Sequence, residues 1–202
     1  MTLERIVIVG KCGAGKTTLA TQLADRLNLT NVELDAINWQ PNWISLRWCE
    51  MRKHVDKALP VDGYWIADGN YIRVVRDIVW GRADTLIWLD YSLPVASLRV
   101  LRRTIGRIVR RKELWNGNRE TLRNHLTCNL NQNLFLWTIR MHWQHRKDFP
   151  AHFKQPEYSH LNVLRFRTPK ETEQWLRGLP NAKELGKKTV EQKVQHIKLA
   201  AL

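Results

Sequence analysis

Cysteine is scarce in this chain. Three residues in 202, Cys12, Cys49 and Cys128, stand far apart, odd in number and without a C-x-x-C pair. That spacing excludes a disulfide framework and a cysteine-rich zinc site, so the thiols read as reduced. Long apolar runs are missing too: nothing approaches the ~20 residues a bilayer-spanning helix needs. The opening Met-Thr-Leu-Glu-Arg has no apolar leader, and a cytoplasmic protein without membrane contact is expected. Internal repeats, low-complexity linkers and DNA-reading motifs are likewise absent. A length of 202 residues suits one α/β domain over 1–180, able to bury a core without crosslinks, followed by a basic tail over 181–202.

Acidic residues are in deficit, with 19 Asp and Glu against 33 Lys and Arg, a formal charge of +14. Such a balance ordinarily points to nucleic acid or an acidic surface, yet much of the excess is confined to two segments. Residues 99–123 hold nine cations, including Arg102, Arg103, Arg107, Arg110 and Arg111, against Glu113 and Glu120; the tail holds five lysines against two glutamates.

What is present is a loop. Residues 10–18 read G-K-C-G-A-G-K-T-T and fill the pattern G-x-x-x-x-G-K-[ST] with Gly10, Gly15, Lys16 and Thr17. Ile6 to Val9 before it form an apolar β-branched run; Leu19, Leu23 and Leu27 follow at four-residue steps, giving strand, loop and helix. Gly10, Gly13 and Gly15 allow consecutive N–H groups to turn inward, and the helix N-terminus adds its dipole, so the loop suits polyphosphate. Gly10, Cys12, Gly13, Ala14, Gly15, Lys16, Thr17 and Thr18 are expected to hold the phosphates of ATP, with Lys16 at the β- and γ-phosphates and the Thr17 hydroxyl on Mg²⁺.

Further along, Val32 to Leu34 reads as a second strand ending at Asp35, and Tyr64 to Ala67 as a third ending at Asp68. Thr85 to Leu89 reads as a fourth, closing on Asp90, and Leu161 to Phe166 as a fifth. A carboxylate at a strand end beside the loop suits Mg²⁺ held through water; Asp68 is the first choice, with Asp90 equally a cap or loop anchor. Trp39, Trp43 and Trp48 read as packing residues, with a stacking platform for an acceptor as the alternative. From Pro94 a helix is expected to bury Val95, Leu98, Leu101, Ile105, Ile108 and Val109 and to carry its arginines on the other face, as a lid over about 102–120. A long helix with Leu122, Leu126, Leu130, Leu134, Trp137 and Met141 in register comes next; its His142 and His145 read as surface or packing residues. A last helix opens at Thr168-Pro169.

Five stretches together resemble the P-loop nucleotide kinases related to adenylate kinase, and among them the small group often labelled DNA topology modulation protein. They are the loop itself, L-D-A-I-N-W-Q-P-N-W at 34–43, W-I-A-D-G-N-Y at 65–71, I-W-L-D at 87–90 and R-K-E-L-W-N-G-N-R-E at 111–120. The resemblance implies a P-loop nucleoside triphosphate hydrolase fold: a five-stranded parallel sheet in the order 2-3-1-4-5 flanked by helices, an acceptor-binding insertion over about 35–60, and an arginine-bearing lid. It implies ATP, Mg²⁺ and phosphoryl transfer to a small acceptor, a nucleotide or nucleoside. By position it assigns Asp35 to the acceptor, Asp68 to metal or acceptor, and Arg103 and Arg107 to the phosphates. The chain departs from adenylate kinases where they carry D-G-F-P-R: here stand Asp68, Gly69, Asn70, Tyr71 and Ile72, with Arg73 one place on. A nucleic-acid-associated ATPase or regulator is the competing class.

Overall fold

The structure, a computed structural model, describes residues 3–121 and 134–180. The tail from 181, Cys128, Arg123 and the expected helix start at Leu122 lie outside the described residues.

Strand β1 (Arg5–Gly10) is the centre of a parallel sheet. Its residues alternate between two cores, Val7 and Val9 on one face, Ile6 and Ile8 on the other, as the two-residue period of a strand dictates. Both faces are covered, which is why the run is apolar throughout. Helix α1 (Lys16–Leu27) lays Leu19, Ala20 and Leu23 against the Ile6/Ile8 face and stops at Asn28, whose left-handed backbone directs its N–H back to the Ala24 carbonyl. Leu23 is fully buried, so Leu23→Ala is worth about 2–5 kcal/mol of stability.

Strand β2 (Thr30–Glu33) is followed by the five-residue helix α2 (Leu34–Asn38), then by a hairpin of β3 (Trp39–Gln40) and β4 (Ile44–Ser45). The turn of that hairpin holds Asn42 and Trp43 at φ 62° and 58°. Helix α3 (Trp48–Ala58), strand β5 (Trp65–Asp68), helix α4 (Ile72–Arg82) and strand β6 (Thr85–Leu89) come next. Then follow α5 (Leu93–Val109), α6 (Leu134–Phe153), β7 (Asn162–Phe166) and α7 (Pro169–Gly178). The sheet order is β2-β5-β1-β6-β7, all pairs parallel; counted within this sheet alone it is the expected 2-3-1-4-5.

Three local expectations are corrected. Asp35 stands in the first turn of α2, two residues beyond the strand rather than at its end. Helix α4 was not foreseen, although Ile72, Val75, Ile78 and Val79 have helical spacing; its core face packs around Trp80. Helix α5 is turned about: Ala96, Val100 and Thr104 face in, while Leu98, Leu101, Ile105 and Val109 are exposed. The inward face also carries Arg103 and Arg107, which the spacing placed on the face opposite the apolar stripe. Among the described residues no helix is long and apolar enough to cross a membrane.

Candidate functional site

The loop between β1 and α1 turns through Gly13 at φ 77° and Gly15 at φ 92°. Gly13 is fixed by sterics as well as by its backbone angle: a Cβ there would stand 2.3 Å from the Ala96 carbonyl oxygen and 2.7 Å from Val100. Helix α5 therefore presses directly on the loop. Ala14 is buried, Lys16 half-buried, and Thr17 and Thr18 are exposed at the first turn of α1.

Strand β5 delivers Asp68 beside this turn. The Thr17 hydroxyl donates to Asp68 Oδ2, while Asp68 Oδ1 is buried without a hydrogen-bond partner. Burial raises the Asp68 pKa, opposed by the Lys16 charge and the Thr17 hydrogen bond. A hydroxyl and a carboxylate oxygen, one lone-pair set still open, form the hard-oxygen donor pair that suits Mg²⁺, an ion that keeps most of its waters and takes few protein ligands. No group of three or more His, Cys, Asp or Glu able to hold a metal occurs among the described residues.

Two residues beyond, Asn70 clasps the loop from the side. Its Nδ2 donates to the Gly10 carbonyl at 2.6 Å, and its Oδ1 accepts from the Gly10 N–H at 3.1 Å. Asn70 thus braces the loop backbone on both sides of Gly10. Tyr71 donates its hydroxyl to Asp35 at 2.6 Å, and burial together with that carboxylate pushes the phenol pKa up. Arg73 is exposed on α4.

From the other side, Arg103 donates to Cys12 Sγ at 3.0 Å, and its buried Nε has no partner among the described residues. Arg107 is already paired with Glu120 at 2.7 Å, both side chains largely buried. Arg99 lies over the loop, donating to the Ala14 carbonyl at 3.3 Å with its guanidinium 5.5 Å above the Tyr91 ring. Arg102, Arg110 and Arg111 are exposed. Among the lid cations, Arg103 reaches the loop and Arg107 lies on the same inward face.

Asp90 resolves to an anchor. It is 2% exposed and is held by Arg146 at 2.8 Å and Arg165 at 2.6 Å, which ties β6 to α6 and β7. Lys11 lies beneath the loop with its ammonium donating to the Tyr91 carbonyl and to His142 Nδ1. Burial lowers its pKa to about 8, with Asp90 resisting and Arg146 assisting. One helical turn on, His145 stacks flat on Phe149 at 4.5 Å, its Nδ1 buried without a partner. Burial first, then the Lys16 and Lys11 charges, bring its pKa to about 4, leaving a neutral imidazole near the phosphate-loop lysine at pH 7. Lys11, Asn70 and Arg99 were not among the expected site residues, while His142 and His145, read as surface or packing residues, pack against Lys11 and Phe149. Lys11 alone had a local signal, its place within the loop; the others depend on long-range packing.

Among solved structures, a gluconokinase from Sinorhizobium meliloti 1021 aligns over 94% of this chain and 97% of its own, with TM-score 0.50 and 15% identity. A shikimate kinase from Acinetobacter baumannii in complex with shikimate aligns over 96% and 95%, with TM-score 0.48 and 15% identity. At such identity the likeness to the gluconokinase is one of fold alone, a five-stranded parallel sheet flanked by helices. No family model and no curated protein matches the chain.

Proposed function

We propose that this protein is an ATP- and Mg²⁺-dependent kinase that phosphorylates a small hydroxyl- or phosphate-bearing acceptor, an adenylate-kinase-like nucleotide or nucleoside in the finer form of the reading. One observation carries it: Lys16, the open Asp68 oxygen beside Thr17, and the unpartnered Nε of Arg103 converge on the same loop from three elements.

The loop N–H groups and the N-terminus of α1 hold the phosphates; Lys16 and Arg103 meet the charge that spreads over the transferring group. Thr17 and Asp68 would hold Mg²⁺, which when bound supplies charge neutralisation on the β- and γ-oxygens. Asp35, fixed by the Tyr71 hydroxyl, orients the acceptor oxygen and takes its proton. The acceptor oxygen bonds to the γ-phosphorus as the bond to the β,γ-bridging oxygen breaks, and ADP leaves. The unbalanced cations near the loop favour an anionic donor over a neutral one.

Thermal unfolding with MgADP, and with an unreactive ATP analogue plus candidate nucleosides, nucleotides and small polyols, tests the reading. A true donor at 100 times its Kd stabilises by about 2.7 kcal/mol, and a true acceptor adds its own shift only with the analogue present. Lys16→Ala should abolish the nucleotide shift and leave the fold intact; an undiminished shift in that variant would overturn the reading.

A further inference from the structure

The lid and the acceptor-side hairpin meet at a single buried amide. We infer that Asn118 is a positioning residue for the phosphoryl transfer proposed above, on which this inference rests: it holds the inward arginines of α5 in register with Asp35.

A primary amide offers two N–H donors and a carbonyl oxygen. In Asn118, 3% exposed, all are used. Its Nδ2 donates to the Gln40 carbonyl at 2.9 Å and the Trp115 carbonyl at 2.8 Å; its Oδ1 accepts from the Trp43 N–H at 2.8 Å. Bonds around it repeat the link. Trp43 Nε1 donates to the Arg119 carbonyl at 3.2 Å, and Asn116 Nδ2 to the Trp39 carbonyl at 2.6 Å. Trp115 Nε1 donates to Glu33 at 2.8 Å. The indoles of Trp39, Trp43 and Trp115 meet edge to face, with centroids 5.6 Å and 6.3 Å apart.

Two short paths lead from this clasp to the chemistry. On the acceptor side the hairpin continues directly from α2, which carries Asp35. On the phosphate side, Glu120 is two residues beyond Asn118 and pairs with Arg107, on the α5 face whose Arg103 touches Cys12 in the loop. A saturated amide linking two segments remote in sequence therefore sets the span between acceptor carboxylate and lid cations. A misplacement of about 1 Å in such a span costs on the order of a hundredfold in rate where the groups act on one transition state.

Two assays separate the outcomes: binding of a fluorescent ATP analogue, and acceptor-free hydrolysis of MgATP, with water as acceptor. Asn118→Asp keeps the side-chain shape, removes both donors and sets carboxylate oxygens against the carbonyls of Gln40 and Trp115. Analogue affinity and the KM for MgATP should stay within about threefold of wild type, because the loop and Lys16 are untouched, while kcat falls about tenfold or more. Trp43→Phe keeps the backbone N–H bond to Asn118 and an aromatic ring, removes the bond to the Arg119 carbonyl and shrinks the ring that meets Trp39 and Trp115; its kcat should fall about two- to threefold, and it carries the test if Asn118→Asp does not fold. An unchanged kcat in a folded variant overturns the positioning role and leaves the kinase reading standing. Matched losses in analogue binding and kcat also overturn it, by making the clasp a purely structural contact. Wild-type protein that neither binds the analogue nor hydrolyses MgATP overturns the kinase reading and this inference with it.

Discussion

The two strands that flank β1, β5 and β6, each lead into an aspartate that is almost fully buried, and the two carboxylates have opposite fates. Asp90 is surrounded by cations, Arg146 and Arg165 on its oxygens and Lys11 close by, so its charge is spent on holding the sheet to α6. Asp68 has one hydroxyl donor and an oxygen that has no hydrogen-bond partner among the described residues. A buried carboxylate left short of partners costs stability, and such a cost persists where something outside the fold uses the group. In sequence the two sites look alike, an apolar strand closed by aspartate. Their difference lies in what packs against them: the first turn of α1 for Asp68, the arginines of α6 and β7 for Asp90.

Exchanging the charge at each site is the strongest way to break this comparison. Asp68→Asn should cut nucleotide turnover by about a hundredfold or more, the scale seen when a charge-stabilising group is lost. Its stability should hold or rise. The folded pKa of Asp68 lies above its unfolded value of 3.8, so the ionised group costs folding free energy once pH exceeds 3.8, and the amide removes that cost at neutral pH. Asp90→Asn should act in reverse. It strands two guanidinium groups, for a stability loss of about 3 kcal/mol, the lower end for a broken buried pair because both arginines are over a third exposed. Urea unfolding and a turnover assay on both variants check the crossing. Parallel losses in both would show that the two carboxylates do the same work.

A smaller test sharpens the anchored side. Lys11 is 3% exposed and titrates near 8 in the folded chain against 10.5 in the unfolded one. Its charged form is therefore a burden on the fold below pH 8. That burden lifts as pH rises from 8 to 10.5, so stability should climb through the window by about 3 kcal/mol, before other groups are subtracted. Lys11→Met should show a flatter profile over the same interval. If urea midpoints for the two proteins run parallel from pH 7.5 to 10, Lys11 keeps its charge at no cost and the account of its burial fails.

The phosphate loop and the five strands were legible because their signals are local, glycine spacing, apolar runs and turns, whereas the sheet order came only from the resemblance to P-loop nucleotide kinases. Asp68 stands beside the loop because β5 pairs with β1 in parallel register. The orientation of α5 was misread because hydrophobic spacing predicts a buried face only when nothing else competes for the interior. Here the loop needs close approach at Ala96 and Val100, and Arg103 and Arg107 find acceptors inside, so the leucine and isoleucine stripe turns outward. The clasp was invisible for a different reason. Asn116-Gly117 and the tryptophans of 39–43 were noted separately, but only the fold brings segments some seventy-five residues apart within hydrogen-bond reach.

The contrast between satisfied and unsatisfied groups extends to the lid arginines, where the smallest effects are expected. Arg103 has a buried Nε without a partner and a guanidinium against Cys12, whereas Arg110 and Arg111 are exposed beyond the end of α5. Arg103→Ala should lower turnover about tenfold or more, since its charge faces the loop. Arg110→Ala and Arg111→Ala should each change turnover less than about twofold and stability less than about 0.5 kcal/mol, as isolated surface substitutions do. A nucleic-acid surface would behave otherwise. Each of the exposed arginines would then remove about one unit from the salt dependence of DNA binding, with little distinction among positions. Turnover and salt-dependent DNA binding measured on the same three variants therefore discriminate the two classes. An unequal response led by Arg103, with the salt slope unmoved, places the inward cation in the chemistry. An even response across all three with a falling slope would make the basic segment a phosphate-tracking surface and leave the loop to power or regulate binding.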